Sequence, residues 1–97
     1  GNLMEIEVKQ LDSKNEGAFL FDVQVNEDSS STRHTVTMDE DYYRDLKTDT
    51  AVEEIIRETF LFLLDREPKE MILSRFDITV VSHYFPEFED FLEDRIS

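Results

Sequence analysis

Three features of the chain predict an α+β fold: a three-stranded antiparallel meander, then one long helix packed on the sheet, then short C-terminal helices. Three successive stretches, residues 4–8, 19–25 and 33–38, alternate apolar and polar side chains, as strands with one dry face do. The polar stretches between them are short enough for antiparallel neighbours. The period then changes. Across residues 50–67 (TAVEEIIRETFLFLLDRE), Val52, Ile55, Ile56, Phe60, Leu63 and Leu64 recur at helical spacing and make one broad apolar stripe.

Taken in order, Met4, Ile6 and Val8 alternate with Glu5, Glu7 and Lys9 in the first strand. Residues 12–17 (DSKNEG) form a polar turn ending in Gly17. Phe19, Phe21, Val23 and Val25 mark the second strand, and residues 26–31 (NEDSSS), all of them turn formers but Glu27, the next loop. His34, Val36 and Met38 alternate with Arg33, Thr35 and Thr37 in the third strand. Asp39 is an expected N-cap, with acids behind it in the first turn, so residues 39–46 predict a short helix that tucks Tyr42, Tyr43 and Leu46 beside the sheet. Thr50 and Glu53 have capping-box spacing, and Pro68 ends the long helix.

Two apolar side chains fall outside the stripe. At about 100° per residue, Leu61 lies among Glu54, Glu58 and Asp65, and Phe62 sits on the flank. Something must cover them, either the C-terminal third or a second chain. After Pro68, at the first position of a new helix, Ile72, Leu73 and Phe76 suggest a short amphipathic segment. Residues 77–85 fit two patterns: β-branched Ile78 to Val81 suit a strand, whereas Asp77 as N-cap with Ile78, Val81 and Phe85 suits a helix. Helix is preferred, because a meander completed before the long helix rarely needs a late fourth strand. Phe88, Phe91 and Leu92 give a final amphipathic helix beyond Pro86.

The 97 residues are expected to form a single domain, with Gly1 set aside as a tag-cleavage remnant. A 39% apolar fraction with eight phenylalanines argues for a core despite the charge. The net charge of −14 repels phosphate backbones and anionic lipid, so no direct nucleic-acid and no membrane partner is expected. No apolar run approaches the roughly 18–20 residues that span a bilayer. With no cysteine, a reducing, cytoplasmic setting is the economical expectation.

Residues 60–90 (FLFLLDREPKEMILSRFDITVVSHYFPEFED) resemble a group of small uncharacterised bacterial single-domain proteins with "FLL-x-REP … IL-x-x-F … YFPE" text near their C-termini. The likeness covers about a third of the chain. It implies a helix over residues 77–85 and a stand-alone module in bacterial cytoplasm. No activity is attached to that group, so no site residue carries over.

The sequence singles out no catalytic residue, metal ligand or cofactor-binding residue, and no cofactor is expected. His34 and His83 are the only histidines. His83 adjoins Ser82, but neighbours point apart on a helix and to opposite faces of a strand, so they do not make a nucleophile and its base. Two glycines cannot build a phosphate loop, and no HExxH or calcium-loop spacing occurs. The first functional expectation is therefore a non-catalytic protein–protein interaction module, its partner another protein or a second copy in a homodimer. Its surface would use Leu61, Phe62, Phe85, Phe88, Phe91 and Leu92. The second is a polyanion mimic that occupies a basic partner's nucleic-acid site through residues 39–45 and 87–94. The third is a small enzyme or ligand-binding protein using His34 with nearby carboxylates, which requires a hollow where both meet.

Overall fold

The computed structural model describes residues 3–96, and the expected remnant Gly1 lies outside the described residues. Strands β1 (Met4–Leu11), β2 (Ala18–Glu27) and β3 (Ser30–Asp39) form the antiparallel meander. The loop expected over residues 26–31 is shorter than its composition suggests. Glu27 pairs with Ser30, leaving Asp28 and Ser29 as the turn, with Asp28 in the left-handed region at φ 55°, which aspartate tolerates. Gly17 closes the first loop at φ 92°.

Alternation sorts the sheet's faces as expected. Phe21, Val23, Val25, His34, Val36 and Met38 are buried on the inner face. The outer face carries pairs such as Lys9 opposite Asp22 and Glu7 opposite Gln24.

The sheet is nevertheless not three-stranded and not wholly antiparallel. A fourth strand, β4 (Arg75–Asp77), pairs in parallel with β3, giving the order β1-β2-β3-β4. Between them run α1 (Glu40–Asp45), α2 (Val52–Arg66) and a 3-10 turn (Lys69–Met71); α3 (Thr79–Tyr84) and α4 (Phe88–Ile96) follow. The amphipathic helix expected after Pro68 is thus a turn and a strand. Residues 79–84 are helical, as preferred. Among the described residues no helix is long and apolar enough to cross a membrane.

Three residues are too few to show a period, so β4 is held by specific bonds. The Thr35 amide donates to the Ser74 carbonyl at 2.8 Å and the Ile78 amide to the Thr37 carbonyl at 2.9 Å. The Asp77 carboxylate joins strand to helix. One oxygen accepts from Thr37 Oγ1 at 2.6 Å, and the other from the Thr79 amide at 3.1 Å and Thr79 Oγ1 at 2.7 Å. Asp77→Ala should cost about 1–3 kcal/mol, since it strips several bonds to a charged acceptor. The loss should be local: hydrogen exchange should speed up at Thr35 and Ile78 well before the β2–β3 ladder. Uniform acceleration, or none, would remove Asp77 from that role.

The long helix begins at Val52 rather than Thr50, and the capping box does not form. Ala51 takes the N-cap position without a side-chain bond, because the threonines before it are engaged elsewhere. Thr48 Oγ1 accepts the Thr50 amide at 3.0 Å and donates to the Ile96 carbonyl at 2.9 Å, and Thr50's own carbonyl accepts from Tyr43 Oη at 2.6 Å.

The helix is buried on two sides. Ile55, Ile56, Phe60 and Leu63 belong to the buried core, and Phe60 meets His34 and Phe76 from the sheet, with centroids 5.3 and 5.9 Å away. Phe62 is covered by the chain itself: Phe85, Phe88 and Phe91 surround it at 5.8, 5.1 and 5.0 Å. Arg66 lies over its ring at 3.5 Å and pairs with Glu87 at 3.2 Å. The Glu87 carboxyl is held below its usual range, first by its own backbone amide and then by Arg66. That contribution is in place above the ordinary glutamate range and is lost as pH falls through the lowered value. Arg95 ties α4 to Glu58 of α2 at 3.0 Å.

Candidate functional site

One apolar groove lies where α2 ends. The residue before a proline is pushed to extended backbone, and Glu67 at φ −152° breaks the helix ahead of Pro68. The chain then tightens through Lys69–Met71. Lys69 anchors this turn: its side chain is almost wholly buried, and its Nζ reaches Glu70 at 2.7 Å and Glu27 at 3.4 Å. Its pKa is raised and that of Glu70 lowered, chiefly by the hydrogen bond between them. The turn sends Ile72 inward and leaves Met71 and Leu73 exposed.

His34 fixes the next residue. Its Nδ1 lies 2.8 Å from the Leu73 carbonyl, and Thr32 Oγ1 is 2.8 Å from Nε2. A carbonyl has no hydrogen to give, so Nδ1 donates; in the neutral ring Nε2 accepts from the Thr32 hydroxyl. β4 then brings Phe76 under the groove, and α3 supplies Val80, Tyr84 and the adjoining Phe85.

The resulting hollow has a volume of about 270 Å³, just under the roughly 300–1,000 Å³ of sites for drug-sized ligands. Its walls are apolar apart from Glu67. Met71, Leu73 and Tyr84, three of the six exposed large apolar side chains among the described residues, stand along it. Such clustering marks interaction surfaces, whereas scattered exposed apolar groups do not. A wider hollow of about 570 Å³ lies beside Phe19, Tyr43 and Thr48. It is more open, and its walls carry charges of both signs from Glu40, Arg44, Lys47 and Asp49, so it offers no comparable apolar contact.

Of the six residues expected to form an interaction surface, Phe85 alone lines the groove. Phe62 is 1% exposed, and Phe88 and Leu92 are wholly buried, so these three are core, because the C-terminal segment folds back over α2. Phe91 is half-buried against Phe62, with the Arg95 guanidinium 5.6 Å from its ring. Leu61 remains 41% exposed, away from the groove. The sequence reading missed Met71, Val80 and Tyr84. The consecutive apolar residues at 71–73, and Val80 with Tyr84 four positions on, were the available signals.

His34 does not meet a carboxylate in a hollow. It is 3% exposed, its ring tilted at 58° against that of Phe60, and both ring nitrogens are engaged. The pairing of His34 with carboxylates in a hollow, on which the enzyme alternative was built, is therefore not formed at this residue. Ser82 does not turn to His83 either; its hydroxyl donates to Glu89 at 2.9 Å. Tyr42 Oη also reaches Glu89 at 3.2 Å, and burial first, then the Glu89 charge, raise that phenol's pKa. These bonds tie α1 and α3 to α4. Among the described residues no group of three or more histidine, aspartate or glutamate side chains is gathered to hold a metal. Comparison of the chain with protein-family models, with curated proteins and with solved structures gave no match.

Proposed function

We propose that the chain is a non-catalytic protein–protein interaction module whose groove receives an apolar side chain from a basic segment of a partner. The exposed apolar cluster Met71, Leu73 and Tyr84 around a preformed hollow carries this proposal. A net charge of −14, with Glu67 in the wall and Glu70 beside Met71, favours lysine and arginine around that anchor. Cytoplasmic residence accords with the lack of cysteine.

A synthetic amphipathic peptide with leucine and phenylalanine on one face and lysine on the other is a direct probe. On titration, amide and methyl shifts should concentrate at Leu63, Leu73, Val80 and Tyr84. Leu73→Glu should weaken binding about tenfold or more, the loss of one buried apolar contact and more, while leaving the fold intact because Leu73 is half-exposed. Shifts confined to α1 and α4, steep in salt and indifferent to Leu73→Glu, would instead support the polyanion mimic.

A further inference from the structure

The far edge of the sheet carries a second, independent surface. β3 turns the Thr35 amide and the Thr37 carbonyl toward the β4 side, so His34, Val36 and Met38 exchange bonds with β2. Their partners there are Val23, Phe21 and Phe19. Because a strand's hydrogen-bonding groups alternate sides, Leu20, Asp22, Gln24 and Asn26 must bond β1, through Leu11, Lys9, Glu7 and Glu5. Met4, Ile6, Val8 and Gln10 then direct their amides and carbonyls to the open edge. The Ile6 carbonyl agrees, since it is met from outside by Arg57 Nη2 at 3.4 Å. An eight-residue edge of this kind is a template for another strand.

We infer that β1 pairs antiparallel with β1 of a second copy, about a two-fold axis through Val8. The charges choose the occupant and the register. In any two-fold pairing through these groups the odd residues face each other in the pairs whose side chains lie closest. An axis at Glu7 faces Glu5 with Lys9 twice but sets the Glu7 carboxylate against its own copy at the centre, and an axis at Lys9 opposes two ammonium groups. An axis at Ile6 opposes Glu5 to Glu7 twice. At Val8, and there alone among these, Glu7 faces Lys9 of the other copy twice and no like charges oppose. Val8 then exchanges both backbone bonds with its counterpart, and the Gln10 amide meets the other copy's Ile6 carbonyl. Arg57 leaves that carbonyl and keeps its 2.6 Å bond to Glu54.

Sedimentation equilibrium over a wide concentration range, with circular dichroism to check folding, tests this. The wild-type chain should dimerise. Glu7→Lys and Lys9→Glu should each weaken the dimer about tenfold or more, as two opposite-charge pairs become like-charge pairs. The double exchange Glu7→Lys/Lys9→Glu should restore it. Gln10→Pro removes an edge amide without touching the β1–β2 ladder, and should abolish pairing in a folded monomer. Leu73→Glu should leave the dimer unchanged, which separates this surface from the groove. A wild-type chain monomeric at all concentrations overturns the inference, its charged edge then serving only to keep copies apart. So does a dimer indifferent to Gln10→Pro, or a folded double exchange that stays monomeric; should the double exchange not fold, Gln10→Pro decides.

Discussion

Phe62→Ala is expected to cost about 3–5 kcal/mol, the range for removing a buried phenylalanine and leaving its cavity behind. Its ring is the hub of a four-phenylalanine cluster with Phe85, Phe88 and Phe91, and the same C-terminal segment is otherwise tied to α2 at the surface by the Arg66–Glu87 and Arg95–Glu58 ion pairs. Arg66 would lose the face it lies over, a contact worth about 0.5–2 kcal/mol by itself. Against a total stability of roughly 5–15 kcal/mol, the variant should be mostly molten over α3 and α4. The control is one position away. Leu61→Ala, at a side chain 41% exposed, should shift stability by less than about 0.5 kcal/mol. Urea denaturation of the pair decides it; similar losses at both positions would mean that the C-terminal segment does not cover α2 as described.

His34→Ala should cost about 2–4 kcal/mol, combining a cavity under Phe60 with an unmet carbonyl at Leu73. The damage should reach the groove, because the imidazole is what fixes Leu73 from beneath. His34→Leu refills much of the space but leaves the carbonyl bare, so about 1–3 kcal/mol of the loss should remain. His83→Ala, at an exposed residue, should be neutral within about 0.5 kcal/mol. Equal effects of the two alanine variants on thermal unfolding would contradict a structural role for His34.

Much of this architecture was written plainly in the chain. Phe19 to Val25 and His34 to Met38 alternate cleanly because each strand has one buried face, and the stripe from Ile55 to Leu63 follows from a helix lying on that face. The burial of Phe62 was half legible: its surplus apolar area was evident, and the C-terminal third was one of two possible covers. β4 was not legible. It makes only three ladder pairs with β3, secured by Asp77 and by backbone bonds at either end, and the β-branched run just after it begins a helix. The capping box failed for a related reason, since Thr48 and Thr50 are committed to the distant Ile96 carbonyl and to each other. The groove escaped detection because it is assembled from a helix end, a turn, a strand and a second helix, none of which announces it alone.

The cover over Phe62 also has a bearing on how the protein is made. A ribosome delivers the meander and α2 first, and the aromatic lid from Phe85 to Phe91 emerges later. Until it does, a growing chain carries α2 with one greasy flank bare, open to capture by a neighbouring nascent chain or a chaperone. Synthesis that stalls between Arg66 and Phe85 should therefore yield aggregates rather than a stable fragment.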